Sequence, residues 1–208
     1  MIKNKEFLIG IVDYNVGNVN SVKNAIEILG YRAIISNDIK VLNHCSHLIL
    51  PGVGAFKEAI EQLRNSGLID FLEEFIFKEK KPILGICVGM QLMFNSSSED
   101  GYHIGLGWLG GDVKSLNVPK DFKLPHVGWN NIELKSNNLF YNIENGVDYY
   151  FDHTFECIAS ENIVIATTNY PNKIDSAINK NNIYAVQFHP EKSQIDGLRI
   201  FKNFIELC

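Results

Sequence analysis

Apolar and polar positions along this chain follow two rhythms. Phe7-Leu8-Ile9-Gly10-Ile11-Val12 is an unbroken apolar run ending at Asp13, the pattern of a strand buried on both faces. Between Asn18 and Leu29, the apolar residues Val19, Val22, Ala25, Ile26 and Leu29 recur at helical spacing, and Gly30 supplies a stop. Ala33-Ile34-Ile35 and His47-Leu48-Ile49-Leu50 read as further short strands, and residues 55–79 as two helical stretches broken near Ser66-Gly67. Pro82-Ile83-Leu84-Gly85-Ile86 is another buried strand, and Met90 to Phe94 reads as the start of a helix. Strand, helix and strand in this order predict a parallel sheet with right-handed crossovers and helices on both faces.

Beyond about residue 100 the rhythm changes. Glycines cluster between Gly101 and Gly111, and short alternating strands are predicted near 112–116, 131–134, 149–151 and 163–168. Ile183-Tyr184-Ala185-Val186-Gln187-Phe188 is a last strand. A closing helix follows at about 194–206, with Ile195, Leu198, Phe201 and Ile205 on one face. The expected fold class is α/β: a single domain over 1–208, with a central mixed, mostly parallel sheet flanked by helices and antiparallel strands in the second half.

Composition narrows the class of function. The chain has 208 residues, 46% hydrophobic and 21% charged, and at that length folding buries about 70% of the unfolded surface, enough for one sizeable core. A net charge of −5 speaks against a nucleic-acid partner, which usually meets a strongly basic face. No apolar run approaches the ~18 residues of a spanning helix, and the start, MIKNKEFLIGIVDY, lacks a signal peptide's long apolar stretch and cleavage site. Cys45, Cys87, Cys157 and Cys208 show no framework spacing and read as reduced thiols. A cytoplasmic protein with no membrane and no nucleic-acid partner is expected.

Candidate chemistry starts at Gly85-Ile86-Cys87-Val88-Gly89, a small–x–nucleophile–x–small run between a buried strand and a helix. This is a nucleophile elbow written with cysteine: the turn is tight, so its flanks must be small, and it exposes the thiol above the carboxyl end of the sheet. The helix that follows puts its positive N-terminus under the sulfur, which favours the thiolate. A cysteine nucleophile needs a base and the base an orienter. His189 in Gln187-Phe188-His189-Pro190-Glu191 follows the last apolar strand, and in an extended segment His189 and Glu191 point to the same side. Pro51-Gly52-Val53-Gly54, after another strand, frees the backbone to aim an N–H at a developing oxyanion, with the Val88 N–H as second donor. Read alone, Pro-Gly-x-Gly is a turn.

Two local patterns point elsewhere and fail. Gly105-Leu106-Gly107-Trp108-Leu109-Gly110 matches GxGxxG by letter but leads into the strand-like Asp112-Val113-Lys114, so no helix N-terminus would receive a pyrophosphate. His44-Cys45-Ser46-His47 has no second cluster to complete a zinc site. His103 lies in a glycine loop, while His126 and His153 could line a pocket. No metal and no cofactor are expected.

The elbow through Met90-Gln91, with Pro51-Gly52-Val53-Gly54-Ala55-Phe56 and Gln187-Phe188-His189-Pro190-Glu191-Lys192-Ser193, resembles the class I (triad-type) glutamine amidotransferases. Asp13-Tyr14 with Gly17-Asn18, Gly105-Leu106-Gly107, Pro125-His126-Val127-Gly128-Trp129-Asn130 and Tyr150-Phe151-x-His153-Thr154 are most similar to the branch that serves imidazole glycerol phosphate synthase. The resemblance runs from residue 13 to 193. It implies Cys87 as nucleophile, His189 as base and Glu191 as orienter. It puts the oxyanion hole at Gly52, Val53, Gly54 and Val88, and substrate contacts at Gln91, Glu99, His153 and Thr154. The implied reaction hydrolyses L-glutamine through a thioester and passes ammonia to a (β/α)₈-barrel cyclase in a heterodimer. Three positions depart from the pattern: Asn15 stands for glycine, Asp152 for a hydrophobic residue and Phe155 for the commoner tyrosine. Asn15 and Asp152 put the partner's identity in question, so a glutaminase serving an aminosugar synthase stays open, as do a non-catalytic module on the same scaffold and a cysteine peptidase.

Overall fold

The computed structural model describes residues 7–135 and 137–208; the first six residues of the start considered above lie outside them. β1 (Leu8–Val12) leads through α1 (Val19–Ile28) to β2 (Arg32–Ser36), and a four-residue helix, α2 (Ile39–Leu42), leads on to β3 (His47–Leu50). α3 (Phe56–Asn65) and α4 (Ile69–Glu73) follow, the latter continued by a π-helical turn over Glu74–Lys78. They break where expected: Gly67 takes φ +69°, and the Ser66 hydroxyl donates to Leu63 O, closing the first helix.

β4 (Ile83–Ile86) then meets α5 (Val88–Leu92). This helix does not extend through Met90 to Phe94; it starts two residues earlier and stops after five. The reason lies in the glycine cluster. Leu106 N, Leu109 N and Gly107 N donate to the carbonyls of Leu92, Met93 and Phe94, satisfying the helix end from outside. A Cβ at Gly105 would lie 2.1 Å from Phe94 O, so only glycine allows that approach. The GxGxxG letters thus cap a helix.

The second half contains β5 (Ser96–Ser97), β6 (His103–Ile104), β7 (Gly111–Ser115), β8 (His126–Asn131), β9 (Glu133–Leu134), β10 (Asp148–His153) and β11 (Phe155–Ala159). β12 (Val164–Tyr170), β13 (Asn172–Lys180), β14 (Ile183–Val186) and α6 (Gln194–Leu207) complete the chain. The main sheet has the order β2-β1-β3-β4-β14-β13-β12-β9, parallel through its first five strands and antiparallel after β14. β8 and β10 form a separate antiparallel ribbon, and β11, β7, β5 and β6 a small sheet.

The hydrophobic pattern does not predict β5, β6, β11 or most of β8, and the longest strand it misses is β13. Six of its nine residues are Asn, Lys, Asp or Ser, and it is held by ladders to β12 and β14 on both sides. Ile195 also departs from its predicted face and is 63% exposed. α6 is instead anchored at Gly197, where a Cβ would lie 1.9 Å from Pro190 O, and its buried face runs through Ile200, Phe201 and Phe204. No helix among the described residues is long and apolar enough to cross a membrane.

Candidate active site

Open parallel sheets place their sites beyond the carboxyl ends of the strands. Here β1, β3, β4 and β14 deliver Tyr14, Pro51, Cys87 and His189 to one end. Cys87 takes φ +52° and ψ −112°, a conformation a non-glycine residue holds only when its surroundings enforce it. The enforcement is visible. Cys87 N donates to Val186 O at 2.8 Å, and its flanking glycines leave no room for change: a Cβ on Gly89 would lie 1.9 Å from Leu50 O. Gln91 N makes the first helical bond, to Cys87 O, so the Val88 amide precedes the ladder.

His189 and Glu191 meet: Nδ1 and Oε1 are 2.8 Å apart and both side chains are 2% exposed. The segment is not extended as the spacing suggested. Pro190–Lys192 forms one 3₁₀ turn, with Ser193 N donating to Pro190 O, and this turn brings the carboxylate to the ring. Burial opposes charge on His189, but interactions with Cys87 and Glu191 outweigh it and raise its pKa to about 10. The ribbon clamps this turn, since His189 N donates to Tyr150 O and Tyr150 N donates to the Ser193 hydroxyl.

The Pro51–Gly54 loop packs directly on the elbow. A Cβ at Gly52 would lie 2.6 Å from Gly89 N, and Gly54 turns the chain at φ +84°. Tyr14, fully buried, donates from its hydroxyl to Pro51 O at 2.6 Å and ties the loop to β1. Sequence reasoning noted Tyr14 only as a motif letter; its tether role follows from the fold.

A cavity of about 220 Å³ opens over Cys87, with Val53, Gln91, Glu99, His153 and Thr154 on its wall. That is below the roughly 300–1,000 Å³ of pockets for drug-sized ligands and suits an amino acid. Gln91 donates from Nε2 to Phe155 O at 3.1 Å and to Gln187 Oε1 at 3.3 Å. Gln187 in turn donates from Nε2 to the Cys87 sulfur at 3.7 Å. Gln187 was legible in the sequence only as the letter before Phe188. One oxygen of Glu99 accepts from Phe56 N at 2.8 Å, capping α3, whose preceding Ala55 offers no side chain for the purpose.

The chain matches the model of the class I glutamine amidotransferase family over residues 11–207. It belongs to the class I glutamine amidotransferases. Among curated members of this family, the imidazole glycerol phosphate synthase subunit HisH 2 of Methanococcus maripaludis is 42% identical over 201 residues, 96% of this chain and 99% of that protein. The synthase subunit HisH of Rhodopirellula baltica is 43% identical, covering 95% and 96%. In fold, the chain is similar to a solved glutamine amidotransferase, with a TM-score of 0.76 at 18% identity, covering 96% of this chain and 97% of that one.

The three departures from the amidotransferase pattern have local explanations. Asn15 has φ +65°, the left-handed conformation that glycine adopts freely and asparagine tolerates better than other residues. Asp152 stays 44% exposed and pairs with Lys192 at 3.8 Å, so no bare carboxylate is buried. Phe155 acts through its carbonyl, which is independent of the side chain. Among the described residues no group of three metal-ligating side chains converges. His47 is instead packed edge-on against Phe7 and Phe204, and its pKa is lowered to about 4 by burial.

Proposed function

We propose that this amidotransferase is the glutaminase subunit of an imidazole glycerol phosphate synthase, acting in the cytoplasm on L-glutamine. The observation that carries the reading is the buried Glu191–His189 pair beside a cysteine held at a strained elbow, opening on an amino-acid-sized cavity. Cys87 attacks the side-chain carbonyl carbon of glutamine as thiolate. The negative charge that develops on oxygen is met by the Val88 N–H and, once the Pro51–Gly54 loop turns its peptide, by the Val53 N–H. The C–N bond breaks as His189 gives its proton to the leaving nitrogen, releasing ammonia and leaving a thioester. Water, deprotonated by His189, then attacks the thioester; sulfur leaves and glutamate is freed. Glu191 keeps the imidazole oriented throughout.

The relatives named as synthase subunits support a cyclase partner of the (β/α)₈ type, and so does the rim of the cavity. Val53 on the cavity wall is exposed and apolar, and so is Leu124, next in the chain to Pro125 on the same wall, a face suited to a partner that receives ammonia. With Asn15 and Asp152 accounted for locally, no observation favours an aminosugar synthase in the cyclase's place.

The test is reconstitution with the cyclase encoded in the same genome. A one-to-one complex should form, and nucleotide intermediate bound to the barrel should stimulate glutamine hydrolysis, while the chain alone should be nearly inactive. Full activity from the isolated chain, or histidine prototrophy after deletion of its gene in a genome with no second glutaminase subunit, would overturn the reading.

A further inference from the structure

Outside the triad, the most unusual polar cluster is a pair of touching buried histidines. His126 on β8 faces His153 on β10 across the ribbon, with Nδ1 of the first 2.9 Å from Nε2 of the second. His126 lies flat between two rings, Tyr170 at 3.9 Å and Phe151 at 4.8 Å. Its ring therefore cannot swing, and only the placement of its proton is free.

That placement is decided from both ends. His153 Nδ1 lies 2.9 Å from Phe155 O, which only accepts, so Nδ1 carries the proton. Burial lowers the pKa of both rings to about 4, so each is neutral at pH 7. His153 Nε2 is then an acceptor and His126 Nδ1 its donor. At the outer end Asn130 Nδ2 is fixed as the amide nitrogen by Asn169 O at 3.1 Å, and it donates to His126 Nε2 at 3.2 Å. One polarity satisfies every bond: Asn130 to His126 to His153 to Phe155 O.

Phe155 O is where this chain meets the cavity, because Gln91 Nε2 donates to the same oxygen. With Nε2 engaged by Phe155 O and Gln187 Oε1, the carbonyl oxygen of Gln91 takes no part in these bonds, and Gln91 lines the cavity.

We propose that Asn130, His126 and His153 form a relay of fixed polarity that positions Gln91 for its hold on glutamine from the exposed β8–β10 ribbon. The inference rests on the glutaminase reading above and adds Asn130 and His126, which do not line the cavity, as positioning residues behind His153, which does. A ligand amino group is a donor and needs the Gln91 oxygen facing it; a relay of reversed polarity would turn the His153 Nδ1 lone pair toward Phe155 O, and the repulsion would displace the carbonyl that holds Gln91 in that orientation.

The test uses the complex with its cyclase. His126→Phe keeps a flat ring between Phe151 and Tyr170 but removes both nitrogens. Asn130→Asp keeps size while replacing a donor by an acceptor, which moves the His126 proton to Nε2 and breaks the chain. Either should raise KM for glutamine roughly five- to tenfold, as expected for one lost buried hydrogen bond, with kcat within about twofold. A structural defect alone would lower kcat and the folded fraction together. In parallel, ¹⁵N NMR of the wild-type rings should find both histidines neutral and protonated on Nδ1, the less common tautomer in water, whether or not a variant folds. A proton on Nε2 of either ring at pH 7, or an unmoved KM in both variants, would overturn the relay. Absence of glutamine hydrolysis by the wild-type complex would instead defeat the glutaminase reading.

Discussion

The elbow and the end of the β8–β10 ribbon, at Asp152 and His153, both line one cavity, and they are held by different physics. At the elbow the backbone itself is packed to contact. A methyl group on Gly89 would lie 1.9 Å from Leu50 O and one on Gly52 2.6 Å from Gly89 N. The ribbon has space to spare: a Cβ on Gly128 would meet nothing within 4 Å. It is ordered instead by donors and acceptors, through the Asn130–His126–His153 chain and the clamp between Tyr150 and Ser193. Cys87 is thus placed by volume, and the ribbon by polarity. Volume changes should injure the first region and proton or charge changes the second.

The sharpest cut is Cys87→Ala. In the complex it should abolish glutamine hydrolysis, a loss beyond about 10³-fold, because no other group here can form the thioester. Ammonia-dependent synthesis by the partner should survive, and residual glutamine turnover near wild type would remove Cys87 from its role. Next comes a matched pair of alanines. Gly89→Ala should cost about 3 kcal/mol or more, a fall in Tm of roughly 6–12 °C, since the obstacle is backbone and cannot yield. Gly128→Ala should cost about 1–3 kcal/mol, from its φ of +130° alone. Equal costs in thermal melts would erase the distinction between the regions.

Glu191→Gln comes third. It preserves shape but removes the charge that orients His189, and turnover should fall about 10²-fold, with a lower Tm as the buried pair is broken. Stopped-flow measurement of the acylation burst would show whether that step carries the loss. A fourth, smaller effect follows from the neutral histidines. His47, His126 and His153 have folded-state pKa values lowered to about 4 by burial, below their unfolded value of 6.5. The unfolded chain therefore binds more protons between pH 6.5 and 4, and stability falls as pH drops through that window, by at most about 1.4 kcal/mol per histidine per pH unit. Melts across that range check it, and His126→Phe should flatten the slope. The smallest effect is expected of Trp129→Ala, exposed on the ribbon: within about 0.5 kcal/mol for the isolated chain, but a measurable weakening of the cyclase complex by calorimetry.

Much of the elbow region was legible from the chain. β1, β3 and β4 are continuous apolar runs, and the Gly85–Gly89 pattern can be read because each small residue answers a local steric demand. The His189–Glu191 pairing was also legible, though for a different geometric reason: the two meet through a 3₁₀ turn, not an extended segment. The ribbon was much less so. His126 and His153 are 27 residues apart, and nothing local reveals that their rings touch. Tyr14 and Gln187 are likewise ordinary letters until Pro51 O and the Cys87 sulfur arrive beside them.

What the sequence determined by itself is whatever depends on near neighbours in the chain: the alternation of strand and helix, the break at Ser66–Gly67, and the elbow with a cysteine at its apex. Tertiary structure decided what depends on groups brought from afar. It ends α5 at Leu92 by supplying amides from the glycine loop, and it makes a strand of the polar segment Asn172–Lys180 by flanking it with two others. It also chooses the tautomer of two histidines by setting an amide nitrogen at one end and a carbonyl oxygen at the other. Hydrogen bonds between distant residues leave no periodicity in a sequence, because each partner needs only the right atom at the right place and not a pattern around it.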